Sequence, residues 1–193
     1  MVIGESTGPR VRDRGDEPTP AVFVDLDTVL LAMHRGRRGL ELGLQADLPE
    51  AIERLREVTD HVVVLVDPTP PEGGAGRETV RRLAVLREGL GRQLAALTIM
   101  TCPHGEQGEC GCAKPGSELI ELALSEHDLR SRGSWYVGGD QEGMQSARHA
   151  GLHTIRVGPL GGDHLDWVHR PDHEARDFLD AANRIMLQTL SQG

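Results

Sequence analysis

Lysine is all but missing from this chain. Of its 21 basic side chains, every one but Lys114 is arginine. Chance is the plain account of the exception. The sharper account is that position 114 requires a compact ammonium charge rather than a planar guanidinium fork. Aromatic residues are also scarce, at 3%, so the core has to rest on Leu, Val, Ile and Ala. No apolar run approaches the roughly 20 residues that a membrane span needs, and the segment MVIGESTGPRVRDRGDEP has no apolar signal-peptide region. Only three cysteines occur, all between positions 102 and 112. That excludes a disulfide framework and makes a reducing cytoplasm the expected setting. Positive charge is short too: the net charge of −9 excludes a general binder of phosphate backbones. Neither a nucleic-acid nor a membrane partner is expected, and the arginines of the RGRR run at 35–38 read as a solvated loop.

What is present suits one soluble domain of 193 residues. Residues 1–20, rich in Gly, Pro and charge, are expected to form a flexible arm, and 21–193 the domain. Short apolar runs predict strands at the start of AVFVDLDTVLL (21–31), at HVVVLV (61–66), at 97–101, at SWYVGG (134–139) and at HTIRVG (153–158). The segment through HRGRRG reads as a loop, and LDWVHR as a short last strand. Helical spacing predicts helices over LPEAIERLREV (48–58), 77–95, 116–129 and 142–150. An amphipathic tail over 172–190 is opened by Pro171-Asp172. Strands alternating with helices predict an α/β domain with a doubly wound parallel sheet, whose chemistry gathers at the carboxyl ends of its strands.

The cysteines lie in TCPHGEQGECGCAKPG (101–116). Cys102-x-His104 and Cys110-x-Cys112 are two ligand pairs in one loop, 101–113, able to fold round a single tetrahedral ion. Thiolate and imidazole donors favour zinc, and four protein ligands leave no open position, which predicts a structural role. Unmetallated thiols and a redox pair are the alternatives, although redox chemistry favours CxxC beside a helix over CxC. The other eight histidines read as surface or packing residues.

With the loop joined directly to Lys114-Pro115, the chain resembles the haloacid dehalogenase (HAD) superfamily. It is most similar to the heptose bisphosphate and histidinol-phosphate phosphatase branch. The resemblance runs over about residues 21–180 and is supported by SWYVG and MQSARHAGLHTIRV (144–157). It implies a single domain without a large cap and a small phosphorylated, sugar phosphate-type substrate. Asp25 would attack phosphorus to form an aspartyl-phosphate, and Asp27 would act as general acid and base. Lys114 would hold the phosphoryl group, and acidic residues after the fourth strand would complete a magnesium site. The plainer reading of Asp25 and Asp27 is as turn formers at a strand end.

Departures from the pattern divide the functional expectation. Val66 stands where the family has Ser or Thr, with Thr69 beyond Pro68. In Val137-Gly138-Gly139-Asp140-Gln141-Glu142-Gly143-Met144-Gln145, glycine stands at both acidic positions. A one-residue deletion would align Asp140 with the first of them and make it the magnesium ligand. Two expectations follow: a phosphatase with attenuated or lost activity, or an inactive zinc-stabilised relative that binds a phosphorylated ligand or a protein partner.

Overall fold

A computed structural model describes residues 17–36, 39–66, 75–102, 110–159 and 170–192. Strand β1 (Val22–Asp25) leads through one helical turn, α1 (Leu26–Val29), into β2 (Leu30–Gly36) and β3 (Gly39–Leu44). Helix α2 (Leu48–Arg56), β4 (Val62–Val66), α3 (Ala75–Leu90), a 3-10 turn (Gly91–Ala96) and β5 (Leu97–Thr101) follow. The chain continues through α4 (Glu118–Glu126), β6 (Trp135–Gly138), α5 (Gln141–His149), β7 (His153–Val157), β8 (His173–Ala175) and α6 (Phe178–Gln192).

The five predicted strands, joined by β8, form a six-stranded sheet in the order β5-β4-β1-β6-β7-β8, parallel throughout. Successive residues of a strand point to opposite faces, and both faces are covered. Val22, Val24, Val64, Val137 and Ile155 pack with Ile52, Leu55, Leu86, Phe178 and Ile185 of α2, α3 and α6. On the other face Phe23, Val63, Leu65 and Tyr136 meet Ile120, Ala123, Met144 and Ala147 of α4 and α5. This is the doubly wound α/β fold expected. The chain crosses from β1 to β4 on one side and later places β6 on the other. The carboxyl end of β1 is therefore the point where the winding reverses, which is where folds of this kind place their ligand sites.

Two expectations are corrected. The segment read as a loop through HRGRRG is an antiparallel hairpin, registered Leu30↔Leu44, Met33↔Glu41 and Gly36↔Gly39. Residues 37–38, between the paired glycines, lie outside the described residues. The hairpin's base is seated on α3, where a Cβ at Gly89 would lie 2.1 Å from Leu44 Cδ1. The second correction concerns the tail. Most of LDWVHR lies outside the described residues, and the last strand observed is His173–Ala175. Asp172 does not start a helix. Its carboxylate accepts the Thr154 N–H at 2.8 Å and the Thr154 hydroxyl at 2.9 Å, and its own N–H donates to Thr154 Oγ1 at 3.1 Å. This reciprocal clasp draws the next three residues onto β7, and helix α6 begins only after Asp177, whose carboxylate accepts the Asp180 N–H at 2.8 Å.

Of the expected arm, residues 1–16 lie outside the described residues. Thr19 and Pro20 are tied to the domain: Arg130 N–H donates to the Thr19 carbonyl at 3.0 Å, and the Thr59 hydroxyl to the Pro20 carbonyl at 2.9 Å. Among the described residues no helix is long and apolar enough to cross a membrane.

Ile155, fully buried on β7, is a direct probe of this packing. Ile155→Ala should lower unfolding free energy by about 2–5 kcal/mol through lost burial and an unfilled cavity, measured by urea denaturation.

Candidate active site

Asp25 ends β1, and the period-2 alternation turns its side chain to the α4/α5 face behind Phe23. The carboxylate is almost wholly buried. Its Oδ1 accepts the Asp27 N–H at 3.3 Å, which caps the turn α1. Its Oδ2 takes both the Lys114 ammonium and the Tyr136 O–H, the latter at 3.4 Å. Lys114 reaches on to Asp140 Oδ2 at 2.9 Å. Asp140 caps α5, accepting the Gly143 N–H on Oδ1 at 2.6 Å. Side chains from the ends of β1 and β6 and from the loop after β5 thus meet at the reversal point of the sheet.

Burial governs the charges. Desolvation lifts the Asp25 carboxyl from an ordinary 3.8 to about 6, with Lys114 opposing the rise and the charges of Asp140 and Asp27 adding to it. Burial also disfavours the charged form of Lys114, but the carboxylates of Asp25 and Asp140 outweigh it and hold the ammonium above its ordinary pKa. Asp140 feels the same desolvation, overcome by Lys114 and the Gly143 N–H, so its carboxyl sits below the usual range. At neutral pH the cluster holds two carboxylates and one ammonium.

The loop after β5 delivers Lys114. The sulfurs of Cys102, Cys110 and Cys112 lie within 4.8 Å of one another, and Cys102 Sγ is 3.5 Å from Cys110 Sγ. Thiolates bound tetrahedrally at about 2.3 Å from zinc stand about 3.8 Å apart, so the spacing and donor type fit a thiophilic ion. Burial pushes the Cys112 thiol up to about 12, while the N–H of Cys112 lowers that of Cys110; a bound ion would hold all three as thiolates. His104, the expected fourth ligand, lies outside the described residues.

Two residues beyond Cys112, the chain is stitched to its surroundings. Gly116 N–H donates to the Ala113 carbonyl at 2.8 Å and Glu118 N–H to that of Gly111 at 3.1 Å. The Ser146 hydroxyl of α5 donates to the Gly116 carbonyl at 2.5 Å. A Cβ at Gly116 would lie 2.1 Å from the Gly111 oxygen, so only glycine passes there. Lys114, Leu65, Tyr136 and Ile120 are among the residues that line a void of about 20 Å³. That is about one water's worth, so a ligand has to approach Asp25 from the strand-end side.

The structure brings together Asp25, Lys114 and Asp140, and separately the three cysteines. Asp27 stands apart on the exposed side of α1, its carboxylate 2.9 Å from the Arg82 guanidinium of α3. Val66 belongs to the opposite face, packed with α2 and α3, and Thr69 lies outside the described residues. Sequence reasoning missed Arg82 and Tyr136. A signal for Tyr136 existed: it is the chain's only tyrosine, two residues before the glycine turn, and it shares one carboxylate oxygen with the only lysine.

Magnesium fits this donor set poorly. It takes six oxygens in near-octahedral array at about 2.0–2.1 Å. Here Asp25 and Asp140 share an ammonium between them, positions 139 and 143 carry no carboxylate, and the Tyr136 hydroxyl fills the space beside Gly143.

No protein-family profile matches the chain. Over 69 residues it is 29% identical to the histidine biosynthesis bifunctional protein HisB of Blochmanniella floridana, a segment covering 36% of this chain and 18% of that protein. Over 59 residues it is 27% identical to the D-glycero-beta-D-manno-heptose-1,7-bisphosphate 7-phosphatase of Pseudomonas putida, covering 31% and 34%. The matched segments thus span about a third or less of each relative. The solved structure of the D,D-heptose 1,7-bisphosphate phosphatase from B. bronchiseptica, complexed with magnesium and phosphate, superposes with a TM-score of 0.64 at 20% identity, over 88% of this chain and 99% of that one. The fold is HAD-like, and the resemblance to this phosphatase branch holds in both sequence and structure.

Metal analysis by plasma mass spectrometry should find one thiol-bound ion per chain. Cys112→Ala should remove it and lower Tm, because the buried Cys112 ties the loop to the core.

Proposed function

We propose that the chain is a phosphomonoester hydrolase of the aspartyl-phosphate type, acting slowly on a small phosphorylated metabolite of the sugar-phosphate class. The observation that carries this reading is the convergence of Asp25, Lys114 and Asp140 at the reversal point of a HAD-like sheet. In the first step Asp25 Oδ1 attacks phosphorus and the bond to the ester oxygen breaks. The proton for the departing alkoxide is assigned to Asp27, which lies exposed on α1, two residues from Asp25 and paired with Arg82. In the second step water, relieved of a proton by Asp27, attacks the aspartyl-phosphate, releasing inorganic phosphate and restoring Asp25. Lys114 neutralises the Asp25 charge and faces the phosphoryl group. The cysteine loop, with His104 as fourth ligand, holds zinc in a structural role and fixes Lys114 two residues beyond its last thiolate. A reducing cytoplasm is the compartment that suits these thiols.

Slowness follows from charge. A carboxylate and a phosphate anion about 4 Å apart at an effective dielectric near 20 repel by about 4 kcal/mol per pair of charges, or about three decades in rate. One ammonium, shared with Asp140, offsets only part of this. The glycines at 139 and 143 favour a second reading, in which the same site binds a phosphorylated ligand without turning it over.

A screen of the purified protein against sugar bisphosphates, histidinol phosphate and an aryl phosphate separates the two. Slow turnover that Asp25→Asn reduces to background supports hydrolysis. Phosphate-ester binding that survives without any turnover replaces it with the second reading. The pH profile has a fixed sign. Attack needs ionised Asp25, whose carboxyl titrates at about 6, so kcat should fall roughly tenfold from pH 7 to pH 5, an acid limb visible in steady-state rates.

A further inference from the structure

Tyr136 and the glycines of the turn after β6 form one steric unit. A Cβ at position 143 would lie 2.1 Å from Tyr136 Oη and 3.0 Å from its Cζ. A Cβ at 138 would lie 2.5 Å from Cε1 and 2.7 Å from Oη. The phenol therefore takes the volume through which a side chain at 143 would reach Asp25. Position 139 is different, since a Cβ there would meet only the Val157 carbonyl, at 3.6 Å. The ring is 1% exposed, and its hydroxyl ends on Asp25 Oδ2, the oxygen that also receives the Lys114 ammonium. That oxygen is closed from two sides, while Oδ1 meets the Asp27 N–H.

We propose that Tyr136 closes this site to divalent ions, its hydroxyl and the Lys114 ammonium serving Asp25 Oδ2 in the place of a metal, so that a phosphate group is taken without magnesium. The second half rests on the phosphate-site reading given above; the exclusion of a divalent ion stands on the Tyr136 geometry. Three features of the chain serve it together. Glycine at 138 and 143 leaves room for the phenol. Asp140 places one oxygen on its own helix and the other on Lys114. The hydroxyl of a tyrosine is a neutral donor, so it steadies the carboxylate without adding charge that the thin cationic balance of the site would have to match. Tyr136 is on this account a positioning residue that acts through Asp25.

Manganese decides the first half. It prefers oxygen donors and ranks low for thiolates, so it reports on this site while the cysteine loop keeps its own ion. In metal-scavenged buffer the wild-type chain should leave millimolar manganese free by electron paramagnetic resonance. Tyr136→Leu combined with Gly139→Asp and Gly143→Asp should bind one ion per chain, whereas the two aspartates with Tyr136 retained should not. Stoichiometric binding by the wild type, lost in Asp25→Asn, overturns the exclusion even if the multiple variants fail to fold. Calorimetry with inorganic phosphate tests the second half. Affinity unchanged within twofold on adding magnesium is expected, and a tenfold tightening overturns it. Phosphate binding absent under both conditions overturns that half together with the phosphate-site reading, and leaves the manganese result to judge the exclusion alone.

Discussion

Everything in this site depends on one buried ion pair, between the last residue of β1 and the chain's only lysine. A carboxylate at the end of a central strand, almost without solvent, is costly to ionise, and burial raises the Asp25 carboxyl above its ordinary range. Lys114 holds the balance near pH 6, so at neutral pH the group is charged, desolvated and oriented. The pair cannot form unless the loop after β5 folds back over the strand ends. That return is organised by three thiols and a short set of backbone hydrogen bonds around Gly111 and Gly116. The cysteines and the lysine, adjacent in sequence, therefore have separate roles: one set shapes the loop and the other meets the carboxylate.

The sheet was readable because its strands are uniformly apolar and short, which is what burial on two faces demands. Val62–Val66, buried at every residue, could hardly be anything else. The hairpin at 30–44 was not readable, since arginines and glycines at its tip mimic a loop and its strands earn their place by pairing with each other. The strand at His173–Ala175 was hidden for a different reason. Asp172 beside a proline is an ordinary helix-start signal, and only the tertiary clasp with Thr154 redirects it. Local signals mislead where a distant partner supplies the deciding hydrogen bond.

Within the site, Asp25 and Lys114 could be singled out because spacing and rarity marked them, and the structure sets them in contact. Asp27 beside Arg82 depends on where α3 passes over α1, which no spacing encodes. The contribution of Tyr136 was easy to pass over for a related reason. A tyrosine inside an apolar strand reads as core, and so it is by burial; its hydrogen bond to Asp25 and the glycines that leave it room show that its hydroxyl end has a polar destination.

The interlock of Tyr136 with Gly138 and Gly143 also imposes an order on how this sequence can change. An acidic side chain at 143 collides with the phenol for as long as Tyr136 stays, whereas one at 139 makes only an ordinary contact with the Val157 carbonyl. A lineage carrying the present residues can therefore accept an acid at 139 in a single step, but reaches one at 143 only after the tyrosine has gone, and losing it first leaves a hole in the packed α4/α5 face. The change at 143, unlike that at 139, is thus disfavoured on its own, so the full two-acid turn is hard to reach from the present arrangement.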